Sequence, residues 1–161
     1  MSVIAGLTAE QLRWHPQGKW SAAEVLEHLY LTYTGTTKGF SRVLAARKAA
    51  TTPPTWVQRR NRVVVLGLGY LPSGREAPSF SRPRGLAVEK VVAEIAGKIG
   101  EMDDMITRCE QALGPGNLLD HPILGPLTGV QWRKFHLVHG LHHLRQIRQR
   151  ARESESPGKV K

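Results

Sequence analysis

The stretch that decides the fold is Val88-Glu-Lys-Val-Val-Ala-Glu-Ile-Ala-Gly-Lys-Ile-Gly-Glu-Met-Asp-Asp-Met-Ile-Thr-Arg-Cys-Glu-Gln-Ala-Leu113. Apolar residues recur through it at alternating spacings of four and three, which is a sustained heptad seam. Such a seam predicts a helix that packs nearly parallel to its neighbours, as in a bundle. The sequence Gly114-Pro115-Gly116 then stops the helix. The seam positions are Val88, Val92, Ile95, Ile99, Met102, Ile106, Cys109 and Leu113.

Two helices are predicted on the N-terminal side of this stretch. Thr8 and Gln11 have the spacing of a capping box, which indicates a short leading turn. Ser21 and Glu24 have the stronger S-x-x-E form, in which each side chain satisfies a free backbone donor of the other residue. We therefore predict a first long helix over residues 21–48.

The last long helix is predicted over residues 130–152. Thr128 and Gln131 repeat the capping-box spacing just before it. The residues after it, 153–161, are polar and contain Pro and Gly, so we expect a disordered tail. The domain prediction is a single four-helix domain over residues 1–152.

The segment between these helices allows two interpretations. Pro53 suits the first position of a helix, with Trp56, Val63 and Leu66 on one face. The run Val63–Leu66 is also rich in β-branched residues and fits a buried strand. We prefer the helix, because the rest of the chain offers no partner strand. Residues 67–84 read as a long loop, rich in Gly, Pro, Ser and Arg.

The fold class predicted from these segments is an all-α, up-down four-helix bundle. Long loops are expected between its second and third helices and before its fourth, over residues 121–126. A chain of 161 residues is one domain by length, and its one cysteine, Cys109, cannot form an internal disulfide. No apolar run reaches the roughly 20 residues that span a bilayer. We expect a cytoplasmic protein without a membrane partner.

The net charge of +10 is unevenly distributed along the chain. Residues 130–161 contain eight Lys or Arg and two Glu, whereas residues 89–110 contain six acids and three bases. A basic helix attracts nucleic acid, anionic small molecules or an acidic partner, and a solvated helix face explains the same pattern. Charge alone carries no specificity.

Histidines are concentrated near the C-terminus. Four of the seven fall within eight positions, at His136, His139, His142 and His143. His139 and His143 lie one helical turn apart, so both imidazoles can reach a single metal ion. Gln146 follows on the same stripe and is placed to orient a ligand or a bound water.

A third ligand must come from another helix, and His28 is the candidate on the first long helix. Thr32, Gly35 and Gly39 follow it along one stripe. Small side chains there leave room for a substrate pocket beside the ligand, or they let two helices approach closely. Glu24 lies one turn before His28, although its capping role competes with a role in the site.

Two segments resemble motifs of the DinB/YfiT-like superfamily of metalloenzymes. Residues 20–29, Trp-Ser-Ala-Ala-Glu-Val-Leu-Glu-His-Leu, resemble its W-S-x-x-E-x-L-x-H-L start. Residues 139–147, His-Gly-Leu-His-His-Leu-Arg-Gln-Ile, resemble its H-x-x-x-H-x-x-Q-I signature. The resemblance implies a four-helix bundle that holds zinc or nickel on His28, His139 and His143. The additional His142 leaves the choice of the second ligand on the last helix open.

The resemblance implies enzymes that transfer a low-molecular-weight thiol to an electrophile, and an ion on three imidazoles equally suits hydrolysis. The expected partner is then a small substrate, for which an anionic thiol fits the basic surface. The alternative is a non-catalytic metal-binding stress-response protein, or one associated with nucleic acid. Against nucleic acid, the basic residues of the last helix share their face with apolar ones, so we expect this face to pack against another helix or across a homodimer. The apolar residues are Val130, Leu137, Leu141 and Leu144, and the basic ones are Lys134, Arg145 and Arg148.

Overall fold

The computed structural model describes residues 4, 6–72, 74 and 76–155, and these are mostly helical. No helix in this described part is both long and apolar enough to cross a membrane. The α-helices are α1 (Ala9–Arg13), α2 (Ala22–Ala46), α3 (Trp56–Arg62), α4 (Val88–Leu113) and α5 (Gly129–Ser154). A π-helical turn (Val63–Gly67), a 3-10 turn (Ser79–Ser81) and the strands β1 (Leu119–His121) and β2 (Gly125–Leu127) complete the elements.

The predicted capping boxes are all present. In each, the cap hydroxyl accepts a hydrogen bond from the backbone N–H three residues on, and that residue's side chain accepts one from the cap N–H. The predicted pairs are Thr8 with Gln11, Ser21 with Glu24, and Thr128 with Gln131. A fourth box, Thr55 with Gln58, starts α3. Pro53 therefore lies before the cap, and its predicted place at the first helical position is wrong.

The ambiguous segment is helical. The backbone continues from α3 into the π-helical turn, so the run Val63–Leu66 is not a strand. The predicted apolar face is wrong in part, because Trp56 is 72% exposed and Val63 63% exposed, whereas Leu66 is buried.

A short hairpin takes the place of the loop expected before the last helix. β1 and β2 pair antiparallel, with Leu119 opposite Leu127 and His121 opposite Gly125. Gly125 has a φ of +71°, a backbone conformation that a glycine adopts without a steric penalty. Strands of three residues are too short to show a period-two pattern, which is why the sequence did not reveal them.

The heptad stretch forms α4 over its full predicted length. Four seam positions, Val88, Met102, Ile106 and Cys109, are buried. Ile99 is 44% exposed, so the seam is not continuous as a buried face. Full burial of an aliphatic side chain such as Ile106 contributes about 1.5–3 kcal/mol.

The chain divides into two compact units. The first comprises Met1–Thr32, Ala77–Ala96 and Gly140–Lys161, and the second comprises Tyr33–Glu76 and Gly97–His139. The boundaries fall inside α2, α4 and α5, each of which is a continuous helix. The single domain predicted over residues 1–152 stays a prediction.

The first unit has a core of buried aliphatic side chains from all three of its long helical segments. A buried arginine also belongs to this unit. Arg150 is buried, and its Nε donates to the backbone carbonyl of Trp20 at 3.0 Å. Its Nη1 forms an ion pair with Glu153. Because α5 continues to Ser154, the predicted disordered tail begins too early at residue 153, and residues 156–161 lie outside the described part. The core residues include Leu26, Leu29, Val91 and Ile147.

The second unit has an aromatic core. The rings of Phe40 and Trp132 meet edge to face with centroids 5.6 Å apart. The Sγ of Cys109, fully buried, donates to the carbonyl of Phe40 at 3.4 Å. A Cβ at Gly39 would lie 2.9 Å from a methyl carbon of Leu119, so this glycine permits close packing against the hairpin. Gly39 therefore lies against a strand, and not against a second helix as one of the two interpretations of the small-residue stripe expected.

The outer face of α5 is largely exposed. Val130 is 69% exposed, Leu137 62% and Leu141 46%. The expectation that another helix of the chain covers this face is therefore wrong for these three residues. Packing across a homodimer stays a prediction.

Candidate metal centre

His28 is positioned on α2 within the first unit. The capping box at Ser21 fixes the start of this helix, and His28 follows two turns later. Its side chain is 4% exposed. Its Nδ1 donates to the backbone carbonyl of Ser81 at 2.8 Å, and the ring of Trp20 lies 5.3 Å away between centroids. Because Nδ1 carries the proton of this hydrogen bond, Nε2 is the nitrogen suited to bind an ion.

His139 and His143 project from one face of α5, one turn apart. Both are buried, at 7% and 8% exposure. The ring of His143 meets that of His28 edge to face, with centroids 4.7 Å apart. The ring of Phe135 stacks on His139 at 5.3 Å.

These three histidines form a group that could hold a metal ion. Each of His28, His139 and His143 offers one ring nitrogen, and the three atoms lie within 4.8 Å of one another. This was the set expected from spacing and resemblance. His142 lies outside the group and is only half-buried. The structure thus favours His143 over His142 as the second candidate ligand on α5.

The electrostatics of the group suit a cation. Burial lowers the pKa of His28, although its hydrogen bond to the Ser81 carbonyl acts in the opposite direction. Burial, together with the neighbouring His28, lowers the pKa of His143 to about 4. Both imidazoles are therefore neutral at pH 7, which is the form that coordinates metals. The donor set fits a divalent ion of the zinc or nickel type, for which imidazole is a preferred ligand.

Gln146, which we expected beside the site, forms a hydrogen bond with His143. The Nδ1 of His143 donates to Oε1 of Gln146 at 2.7 Å. The amide Nε2 of Gln146 donates in turn to Nε2 of His142 at 3.2 Å. The amide of Gln146 thus links His142 to His143 through two hydrogen bonds.

Glu24 and Thr32, the other two residues expected near the site, form hydrogen bonds within α2. Oε2 of Glu24 accepts hydrogen bonds from the backbone N–H and the hydroxyl of Ser21. The hydroxyl of Thr32 donates to the carbonyl of His28 at 2.8 Å. Glu24 therefore has the capping role that competes with a role in the site.

Two residues beside His28 were not identified from the sequence. Ser81 supplies the carbonyl that orients the ring, from a loop 53 positions away. Glu27 is 2% exposed, and its carboxylate accepts three backbone hydrogen bonds from the same loop. The sequence signal that could have identified Glu27 is an acidic residue close to the apolar Val25, Leu26 and Leu29, all of which are buried. A buried carboxylate needs such partners.

Two further histidines, His121 and His136, lie in the second unit. Nδ1 of His121 accepts the backbone N–H groups of Ile123 and Leu124 and so closes the hairpin turn. Burial lowers the pKa of His121 to about 4 and that of His136 to about 3. The ring of His136 stacks on Trp132, and within the described residues neither of its nitrogens has a hydrogen-bond partner. His136 is not part of the three-histidine group.

These observations define a mostly helical protein with a buried three-histidine group able to hold a metal ion. The chain belongs to the family described as "Protein of unknown function (DUF1569)", whose profile matches residues 1–150. Comparison with curated proteins and with solved structures gave no match.

Proposed function

We propose that this protein is a divalent-metal-dependent enzyme in which His28, His139 and His143 hold one ion. The observation that carries the proposal is the convergence of three buried imidazoles whose ring nitrogens lie within 4.8 Å of one another. Three protein ligands, as opposed to four, are typical of catalytic zinc sites. The hydrogen bonds at Nδ1 of His28 and His143 add support, since ligating histidines commonly bind an outer partner through the other nitrogen.

We further propose that the fold is an up-down four-helix bundle of the DinB/YfiT-like type. Three helices of about 25 residues and the heptad pattern of α4 support it. The two motifs that carry the resemblance lie at the start of α2 and in the middle of α5. These positions hold His28 and the His139/His143 pair.

The proposed reaction class is transfer of a low-molecular-weight thiol to an electrophile, or hydrolysis of a small substrate. A divalent ion of this kind supplies Lewis acidity, which lowers the pKa of a water molecule or thiol that it binds. The chain itself contributes a net charge of +10, which favours the approach of an anionic thiol. Zinc and nickel are the proposed ions.

Metal analysis of the purified protein tests the proposal. After reconstitution with zinc and with nickel in separate samples, we expect about one ion per chain in the wild type. His143→Ala should lose most of it, since two imidazoles bind far more weakly than three. Circular dichroism checks that the variant is folded. A wild-type chain that binds neither ion at micromolar concentration overturns the proposed function.

The reaction class has its own test. The metal-loaded protein is incubated with an anionic thiol and an alkylating electrophile, and consumption of the thiol is followed. Consumption that needs both the metal and His143 supports the transferase, whereas metal-dependent hydrolysis of an ester without a thiol supports the hydrolase.

The alternative is a non-catalytic metal-binding or nucleic-acid-associated protein. Its support is the exposed outer face of α5, where Lys134, Arg145 and Arg148 are all exposed. The exposed Leu137 and Leu141 on the same helix favour instead a second copy of the chain as the partner of this face. Salt-dependent retardation of a DNA duplex in a gel favours the nucleic-acid-associated protein. A dimer in analytical ultracentrifugation favours a second copy of the chain as the partner of this face.

A further inference from the structure

Glu27 is the most completely buried charged side chain near the candidate centre. It is 2% exposed. Its Oε1 accepts the backbone N–H of Arg84 at 2.7 Å, and its Oε2 accepts those of Gly85 and Leu86, each at 3.1 Å. Three N–H donors offset the desolvation of the carboxylate and at the same time fix three consecutive residues of the loop.

The loop fixed by Glu27 is the one that orients His28. Ser81, whose carbonyl accepts the hydrogen bond from Nδ1 of His28, precedes Arg84 by three residues. A hydrogen bond from the Arg84 guanidinium to the carbonyl of Phe80 connects the two parts of the loop. The Ser81 hydroxyl donates to the carbonyl of Pro78 and holds the 3-10 turn. All of these residues belong to the first unit.

Glu27 and His28 are neighbours on α2, and both are tied to the same loop. The carboxylate of Glu27 holds residues 84–86, and the imidazole of His28 meets the carbonyl of residue 81. A backbone carbonyl can only accept a hydrogen bond, so this contact places the proton on Nδ1 of His28. With Nδ1 as the donor, Nε2 has the lone pair that a metal requires.

We propose that Glu27 is a positioning residue of the metal centre, which selects the Nδ1–H tautomer of His28 by anchoring the loop at residues 84–86. The expected effect of Glu27 on metal affinity rests on the proposed function. The tautomer itself is a property of the metal-free chain. Loss of the anchor lets the Ser81 carbonyl move, and His28 then samples both tautomers.

The test compares Glu27→Gln with Glu24→Gln, a matched change on the same helix at a carboxylate that accepts hydrogen bonds from Ser21, its capping partner. The full-length protein is labelled with nitrogen-15, and the ring nitrogen shifts of His28 are recorded without metal. Zinc affinity is then measured by competition with a chromophoric chelator. We expect wild type and Glu24→Gln to show the Nδ1–H tautomer. Glu27→Gln should show a tautomer mixture and bind zinc about 10–100-fold more weakly.

A second variant covers the case in which Glu27→Gln does not fold. Gly85 has a φ of +84°, and no atom lies within 4 Å of a Cβ placed there, so Gly85→Ala strains the loop backbone without a steric clash. Gly18→Ala is its control, with a φ of +72° and the same open surroundings in the same unit. Gly85→Ala should shift the tautomer and weaken zinc binding, and Gly18→Ala should do neither.

The outcomes separate the two proposals. If the wild type binds no zinc, the proposed function fails, while the tautomer comparison still decides whether Glu27 positions His28. If Glu27→Gln and Gly85→Ala both retain the wild-type His28 shifts and zinc affinity, the positioning role is refuted. An Nε2–H tautomer in the wild type also refutes it.

Discussion

The substitution His136→Phe measures how much a buried imidazole without hydrogen-bond partners lowers the free energy of unfolding. The side chain is 4% exposed and stacks on Trp132 at 5.6 Å, and neither ring nitrogen has a hydrogen-bond partner within the described residues. The ring of Tyr33 lies 5.4 Å away. Phenylalanine retains these aromatic contacts and removes two unsatisfied polar atoms. We therefore expect the variant to be more stable than the wild type.

The gain should depend on pH. At pH 7 it is about 1–2 kcal/mol, the usual desolvation penalty of an unsatisfied polar group. Burial lowers the pKa of His136 from 6.5 to about 3, so the wild type loses stability as the pH falls through this window, because the unfolded chain takes up a proton that the folded chain does not. At pH 5 this protonation adds about 2 kcal/mol to the gain, since the variant has no imidazole at this position.

Urea unfolding at pH 7 and pH 5, followed by circular dichroism, measures both values. His121→Phe is the matched control, because Nδ1 of His121 accepts two backbone N–H groups that phenylalanine would leave unpaired. That variant should be less stable than the wild type at pH 7. A His136→Phe protein that is destabilised at pH 7, or whose advantage does not widen at pH 5, would show that the imidazole has a polar partner in solution and would refute the reasoning.

Three further substitutions test separate parts of the structure. His142→Ala should retain a zinc stoichiometry near that of the wild type and His139→Ala should lose it, and elemental analysis that gives the reverse order would contradict the ligand assignment. Gly125→Ala should lower the free energy of unfolding by about 1–3 kcal/mol, because the position has a φ of +71° and the new Cβ would lie 2.6 Å from Oε1 of Gln58, which caps α3; an unchanged urea midpoint would argue against a strained turn. Arg133→Ala should lower it by about 1 kcal/mol at low salt and by less in 0.5 M NaCl, since its guanidinium pairs with two carboxylates of α4 that are partly exposed; a loss that is independent of salt would contradict an ionic origin.

The helices could be predicted from the sequence wherever local chemistry decides them. The capping boxes at Thr8, Ser21 and Thr128 marked three helix starts, and the seam of α4 gave both of its ends. The box at Thr55 has the same spacing, but Pro53 also suits a helix N-terminus, so the sequence alone points to an earlier start. The hairpin depends on pairing between residues 119 and 127, and no local pattern of three residues reports such pairing.

The residues of the candidate site also divide into those that local sequence patterns predict and those that depend on contacts between distant segments. His139 and His143 could be paired from helical periodicity alone, and His28 was added by its place on a capped helix and by the resemblance. Ser81 and Glu27 could not be found, because their contacts join α2 to a loop more than 50 residues away. Contacts between distant segments leave no periodic trace in a single sequence.

The burial of Cys109 has a practical consequence for any assay with electrophiles. It is the only cysteine of the chain, it is fully buried, and burial raises the pKa of its thiol. The Cys109 thiol should therefore react very slowly with iodoacetamide or dinitrophenyl halides in the native protein, so a thioether formed rapidly in such an assay comes from the thiol that was added. For the same reason, the rate at which Cys109 is labelled reports how often the protein unfolds globally, without any engineered probe.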